Sequence, residues 1–139
     1  MPTYEKTCFE PGQTEATGIL VVNLGTPNAP TPAAVRQFLK EFLSDPRVVE
    51  YPRLLWWLIL NLVILRIRPS RSAEAYRKVW TDEGSPLLIY SKAITDKLSD
   101  SDTLRANGSV HVELAMTYGD PSIDDAIDKL LAKGVRRIL

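Results

Sequence analysis

The chain has 139 residues, 45% hydrophobic and 24% charged, and its 17 Lys and Arg balance 17 Asp and Glu. A net charge of zero excludes nucleic-acid recognition through a broad basic field. A single cysteine, Cys8, excludes an internal disulfide framework, and no cysteine cluster suggests a zinc site or speaks for an iron–sulfur cluster.

The opening MPTYEKTCFEPGQTEATG has no apolar core of the kind a signal peptide carries. It reads as a disordered tail over residues 1–16, and the cytoplasm is the expected compartment. Residues 17–139 read as one α/β domain. TGILVVNLG (Thr17 to Gly25) is a continuous apolar run, the pattern of a strand buried on both faces of a parallel sheet. In TPAAVRQFLKEFLSD, Thr31 is an N-cap, Pro32 a first helical residue, and Val35, Phe38, Leu39 and Phe42 form one apolar face. Asp45-Pro46 ends that helix.

LLWWLILNLVIL (Leu54 to Leu65) is the most apolar stretch of the chain. As a helix it would reach roughly 18 Å, too short for a bilayer core of about 30 Å. It reads as a core or interfacial helix, or as the wall of an apolar site. Pro69 is expected to break it from a short helix capped by Ser70 or Ser72 that carries Tyr76 and Trp80. TDEGSPL is a loop. PLLIYSKAITDKLSD reads as a helix with Leu87, Tyr90, Ile94 and Leu98 spaced for one face. SVHVELAMTYG is a second buried strand. DPSIDDAIDKLLAKG is a helix with Ser122 and Asp125 at capping-box spacing and Gly134 as its stop, and a third strand starts at Val135.

The fold class is therefore α/β, a parallel sheet flanked by helices, with a helical insertion after the first strand. Helices inserted there, on the carboxyl-end side of a sheet, commonly roof a ligand site. A strand that has only begun at GVRRIL leads us to expect the N-terminal piece of a longer protein.

Three places could carry chemistry. NLGTP (23–27) is a strand-ending turn or a backbone edge against a ligand. It lacks the glycine pattern of a dinucleotide loop or a Walker loop, which disfavours a nucleotide-binding reading. Arg66, Arg68, Arg71, Arg77 and Lys78 follow the apolar run. Beside Trp56 and Trp57, a forked Arg would suit a flat apolar ligand with acidic tails, and a solvated face is the plainer account. Tyr76 and Ser85 can donate and accept hydrogen bonds. MTYGDPS (116–122) lies at the end of the second strand. His111, in the middle of that strand, reads as a core or sheet-edge histidine. Asp124, Asp125 and Asp128 read as helix-dipole and solvation residues.

GILVVNLGTPNAPTPAAVRQFLKEFLSDPRVVEYPRLLWW, RPSRSAEAYRKVWTDEGSPLLIYS and AMTYGDPSIDDAIDKL together closely resemble the first part of bacterial ferrochelatases. The resemblance runs from about Gly18 to Leu139. It implies an enzyme, a lyase, that inserts Fe²⁺ into protoporphyrin in haem biosynthesis. It also implies two similar α/β halves facing a porphyrin cleft, of which this would be most of the first. Leu24, Arg68, Tyr76 and Ser85 would meet the porphyrin. Trp56, Trp57 and Leu58 would lie on the cleft lip, which in animal members touches the membrane, so that peripheral contact at the inner face is expected. The family's metal-inserting histidine and its glutamate would lie in the second half, so this chain is expected to hold no catalytic residue, no metal and no required cofactor, and to be inactive by itself. Fe²⁺ enters as substrate. The missing half is the implied partner, and no nucleic-acid partner is expected. The alternative is a stand-alone porphyrin-binding or membrane-surface module without catalysis.

Overall fold

The structure is a computed structural model that describes residues 16–106 and 108–139. The expected N-terminal tail, Cys8 included, lies outside the described residues apart from Ala16. That residue opens strand β1 (Ala16–Gly25), one position before the predicted start. β1 leads to helix α1 (Pro32–Ser44), then to α2 (Arg53–Ile59), a π-helical turn (Leu60–Ile64), α3 (Leu65–Val79), α4 (Pro86–Ser99) and a short α5 (Asp102–Ala106). Strand β2 (Val110–Tyr118), helix α6 (Ile123–Ala132) and strand β3 (Val135–Ile138) complete the described chain.

The strands form a parallel sheet in the order β2-β1-β3, with Thr17 opposite Val110 at one end of β1 and Gly25 opposite Tyr118 at the other. The predicted fold class is the observed one. Side chains alternate along β1. Asn23 reaches α4, whereas Gly18 lies against Leu130 of α6, so the two helices cover opposite faces. A Cβ on Gly18 would come within 2.8 Å of Val135 Cγ1, and the bare glycine lets Leu130, Val135 and Ala16 close into a core.

Local signals explain most of the elements. Thr31 Oγ1 accepts from the Ala34 N–H at 3.3 Å and Pro32 opens α1, which buries Val35, Phe38 and Leu43. Ser122 Oγ accepts from the Asp125 N–H at 3.1 Å and donates to the Asp125 carboxylate at 2.7 Å, a closed cap for α6. Leu39, Phe42, Trp56 and Ile64 pack around Leu43, Leu60 and Leu65, which joins α1 to the helix that follows.

Two expectations are corrected. Pro69 does not break the chain. The helix runs without interruption from Arg53 to Val79, and Ser70 and Ser72 lie inside α3 rather than at its cap. A proline lacks the N–H that would bond to the carbonyl four residues back, here Leu65. Leu65 sits at the junction from π to α geometry, with ψ near −6°. The ladder is already out of α register there, so the ring of Pro69 enters the buried side of the helix. The second correction concerns α4. Leu87, Tyr90 and Ile94, the apolar residues spaced for one face, are exposed, and the buried residues of the helix are Ser91 and Thr95. The sheet offers the Asn23 amide on that side, and a hydroxyl helix face satisfies it where leucine could not.

Candidate functional site

The carboxyl ends of β1 and β2 bring together NLGTP and MTYGDPS with Ser85 of the loop before α4, and of the Arg66–Lys78 stretch only Arg77 is tied to them. Asn23 organises the end of β1: its Oδ1 accepts from the Leu24 N–H at 2.8 Å and its Nδ2 donates to Ser91 Oγ of α4 at 3.0 Å. Gly25 follows at φ 117°, a conformation open to glycine. Leu24 is left half exposed on the strand end, at 51%. Thr26 is buried, and its hydroxyl donates to Ser85 Oγ at 2.8 Å. NLGTP and EGSP thus meet through one buried hydroxyl pair, and Ser85 lies within the wall rather than on its surface.

MTYGDPS joins from the other side. Asn28 Nδ2 donates to Asp120 at 2.7 Å, and the Gly119 N–H donates to Glu41 of α1 at 3.3 Å. A cavity of about 170 Å³ lies between Thr26, Asn28, Phe38, Glu41 and Asp120. α3 is tied in by Arg77, whose Nε donates to the Pro30 carbonyl at 3.2 Å. One residue earlier, Tyr76 is half-buried with its ring edge-on to Trp80 at 6.3 Å. Burial raises its phenol above the ordinary value. It lines a shallow depression with Ser72, Ala75 and Val79. Arg68 is exposed on α3.

The lip residues divide. Trp56 turns inward, its Nε1 donating to the Leu43 carbonyl at 2.7 Å, while Trp57 is 59% exposed and Leu58 40% exposed. Tyr51, Arg53, Trp57 and Leu60 help to line a second cavity, of about 150 Å³. His111 is half-buried with Nε2 3.3 Å from Ser109 Oγ. Among the described residues, no group of three or more His, Cys, Asp or Glu is placed to hold a metal ion.

Sequence reading missed the brace behind this site. Tyr118 donates its hydroxyl to Asp45 at 2.9 Å, its ring takes Phe42 edge-on at 5.1 Å, and Asp45 pairs with Arg47 at 3.1 Å. Chiefly through the Arg47 side chain, then through its backbone N–H, the Asp45 carboxyl is lowered to about 2. Burial, and next the bond to Asp45, push the Tyr118 phenol up. A carboxyl depressed in the folded state contributes stability above its unfolded value, near 3.9, and that contribution fades as pH falls from about 5 toward 2. Thermal melts of Asp45→Asn against the parent should therefore show a gap at pH 7 that narrows as pH falls. A gap independent of pH between 7 and about 2.5 would refute this.

Residues 16–139 match the family model described as Ferrochelatase. The chain belongs to the ferrochelatase family. It is 54% identical over 131 residues to the ferrochelatase of Thioalkalivibrio sulfidiphilus, which covers 94% of this chain and 36% of that protein. Against the Idiomarina loihiensis ferrochelatase it is 54% identical over 135 residues, with the same two coverages. Against that of Chromobacterium violaceum it is 47% identical over 140 residues, covering all of this chain and 38% of the relative. The chain thus spans little more than a third of the length of these ferrochelatases. In ferrochelatase terms, the strand ends described above are built by the first third of the sequence, and the three matched blocks meet there.

Proposed function

We propose that this chain forms the porphyrin-holding wall of a ferrochelatase, a lyase of haem biosynthesis that inserts Fe²⁺ into protoporphyrin. The observation that carries the reading is the family match over residues 16–139. The match does not favour a stand-alone porphyrin-binding module. The iron is substrate and is taken up with the help of residues outside this chain. The base that removes the pyrrole protons belongs there too. His111, flanked by Ser109 on a sheet strand, has no part in it.

What this chain supplies is a shaped, anchored surface. Leu24 at the end of β1 presents apolar surface to the macrocycle. Arg68 forks onto a propionate, a planar match that lysine would not make. Tyr76 stands at the macrocycle edge, and Ser85, paired with Thr26 inside the wall, backs that edge. Rigid walls let binding energy bend the ring so that nitrogen lone pairs turn toward the incoming metal. Trp57 and Leu58, on the exposed side of the lip helix, lie on the inner surface of the membrane and receive an apolar substrate there. Among the described residues, no helix is long and apolar enough to cross a membrane, and the contact proposed here is a peripheral one of the exposed apolar face.

In a ferrochelatase carrying this segment, Arg68→Ala should raise KM for porphyrin by about tenfold and leave kcat within about twofold, because an anchor binds ground and transition states alike. A large fall in kcat at unchanged KM would overturn the anchor role. Steady-state kinetics with purified enzyme and varied porphyrin decides it.

A further inference from the structure

We propose that the π turn Leu60–Ile64 is a one-residue insertion that adds an outward apolar side chain to the lip helix, for contact with an anionic phospholipid surface. This rests on the membrane-facing reading of the lip given above.

The inward row of the long helix is Trp56, Leu60, Leu65, Pro69 and Ala73, with the last four buried. Each step is four residues except Leu60 to Leu65, which is five. The outward row Leu54, Leu58, Val63, Ile67 repeats the pattern, with the longer step at the same place. A continuous α-helix cannot keep a step of five on one face, since five residues turn it about 500°. The π turn absorbs the surplus. Removing one residue between Leu60 and Leu65 would return both rows to steps of four, so packing against α1 does not need it. Its effect is on the outside, where Leu62 and Val63 stand side by side at 53% and 50% exposure. The widened turn has its own support: Asn61 Nδ2 donates to the Trp57 carbonyl at 2.8 Å, while the Leu60 N–H is shared by the carbonyls of Trp56 and Trp57.

The surroundings select the occupant. Exposed Arg53 precedes this surface, exposed Arg66 and Arg71 follow it, and Trp57 and Tyr51 are exposed beside it. An apolar stripe with arginines at its ends and aromatic rings at its border fits an anionic bilayer surface. A protein partner would have to match three arginines.

The test uses the 139-residue chain, its variant lacking Leu62, and Leu62→Ser, which keeps the turn and removes the side chain. Each is co-sedimented with vesicles of phosphatidylglycerol and phosphatidylcholine, with Trp fluorescence as a second readout. The wild-type chain should bind. The deletion variant should keep its far-UV circular dichroism and melting temperature and partition about tenfold more weakly, the scale of one leucine leaving apolar surroundings. Leu62→Ser should weaken binding to a similar degree. Wild-type binding matched by either variant overturns the insertion's role and leaves the lip reading standing. A deletion variant that unfolds overturns the register argument. A wild-type chain that binds no vesicles overturns the lip reading itself, and this inference with it.

Discussion

Gly25→Ala should cost at least about 4 kcal/mol, enough to unfold most of a marginally stable chain. A Cβ at residue 25 would lie 1.8 Å from the Tyr118 carbonyl oxygen and 2.9 Å from its carbon. These are backbone atoms of the neighbouring strand, so no rotamer change relieves the contact. The φ of 117° adds strain for any residue that bears a Cβ. The only relief is to part β1 from β2 where NLGTP and MTYGDPS meet, and the site opens with it. Urea denaturation followed by circular dichroism measures the effect. A variant whose midpoint stays within a few tenths molar of the parent would show that the strands do not approach this closely.

Leu130→Ala should cost about 2–5 kcal/mol, the range for a leucine removed from a closed core. Leu130 is 0% exposed and packs with Ala16, Val135 and Leu20 where α6 crosses the sheet. Its two methyls lie 3.2 Å from where a Gly18 Cβ would stand. The void left by alanine faces a strand residue with no side chain to swing into it. The same denaturation experiment reads the loss as a lower midpoint at unchanged slope. A loss under about 1 kcal/mol would mean that α6 rides loosely on the sheet.

Elements with signals carried within one or two turns were legible in the sequence. Thr31 with Pro32, Ser122 with Asp125, and the apolar runs of β1 and β2 each announce themselves locally, and the structure forms each element there, although β1, read as buried on both faces, leaves Val22 and Leu24 half exposed. What depended on distant partners was not legible. Pro69 looked like a stop because the step of five at Leu60–Leu65, which makes room for it, shows only when the buried side is known. The α4 stripe Leu87, Tyr90 and Ile94 had the right spacing, but spacing says nothing about which face meets the sheet. The places of the candidate site were visible in the sequence. Their convergence was not: Thr26 and Ser85 are 59 positions apart, and Tyr118 and Asp45 are 73 apart.

β1 is the central strand, yet it is made first. Thr117 of β2 donates to the Asn23 carbonyl from 94 positions further along. A ribosome adding 5–20 residues per second takes on the order of 5–20 seconds to cover that distance. During that interval TGILVVNLG has no partner strand on either edge, and its composition is of the kind that self-associates readily. Of the helices made in between, α4 packs on β1 through Asn23 and Ser91, and pairings this remote fold slowly. The strand that carries Asn23 and Leu24 is thus also the one that waits longest for its neighbours during synthesis.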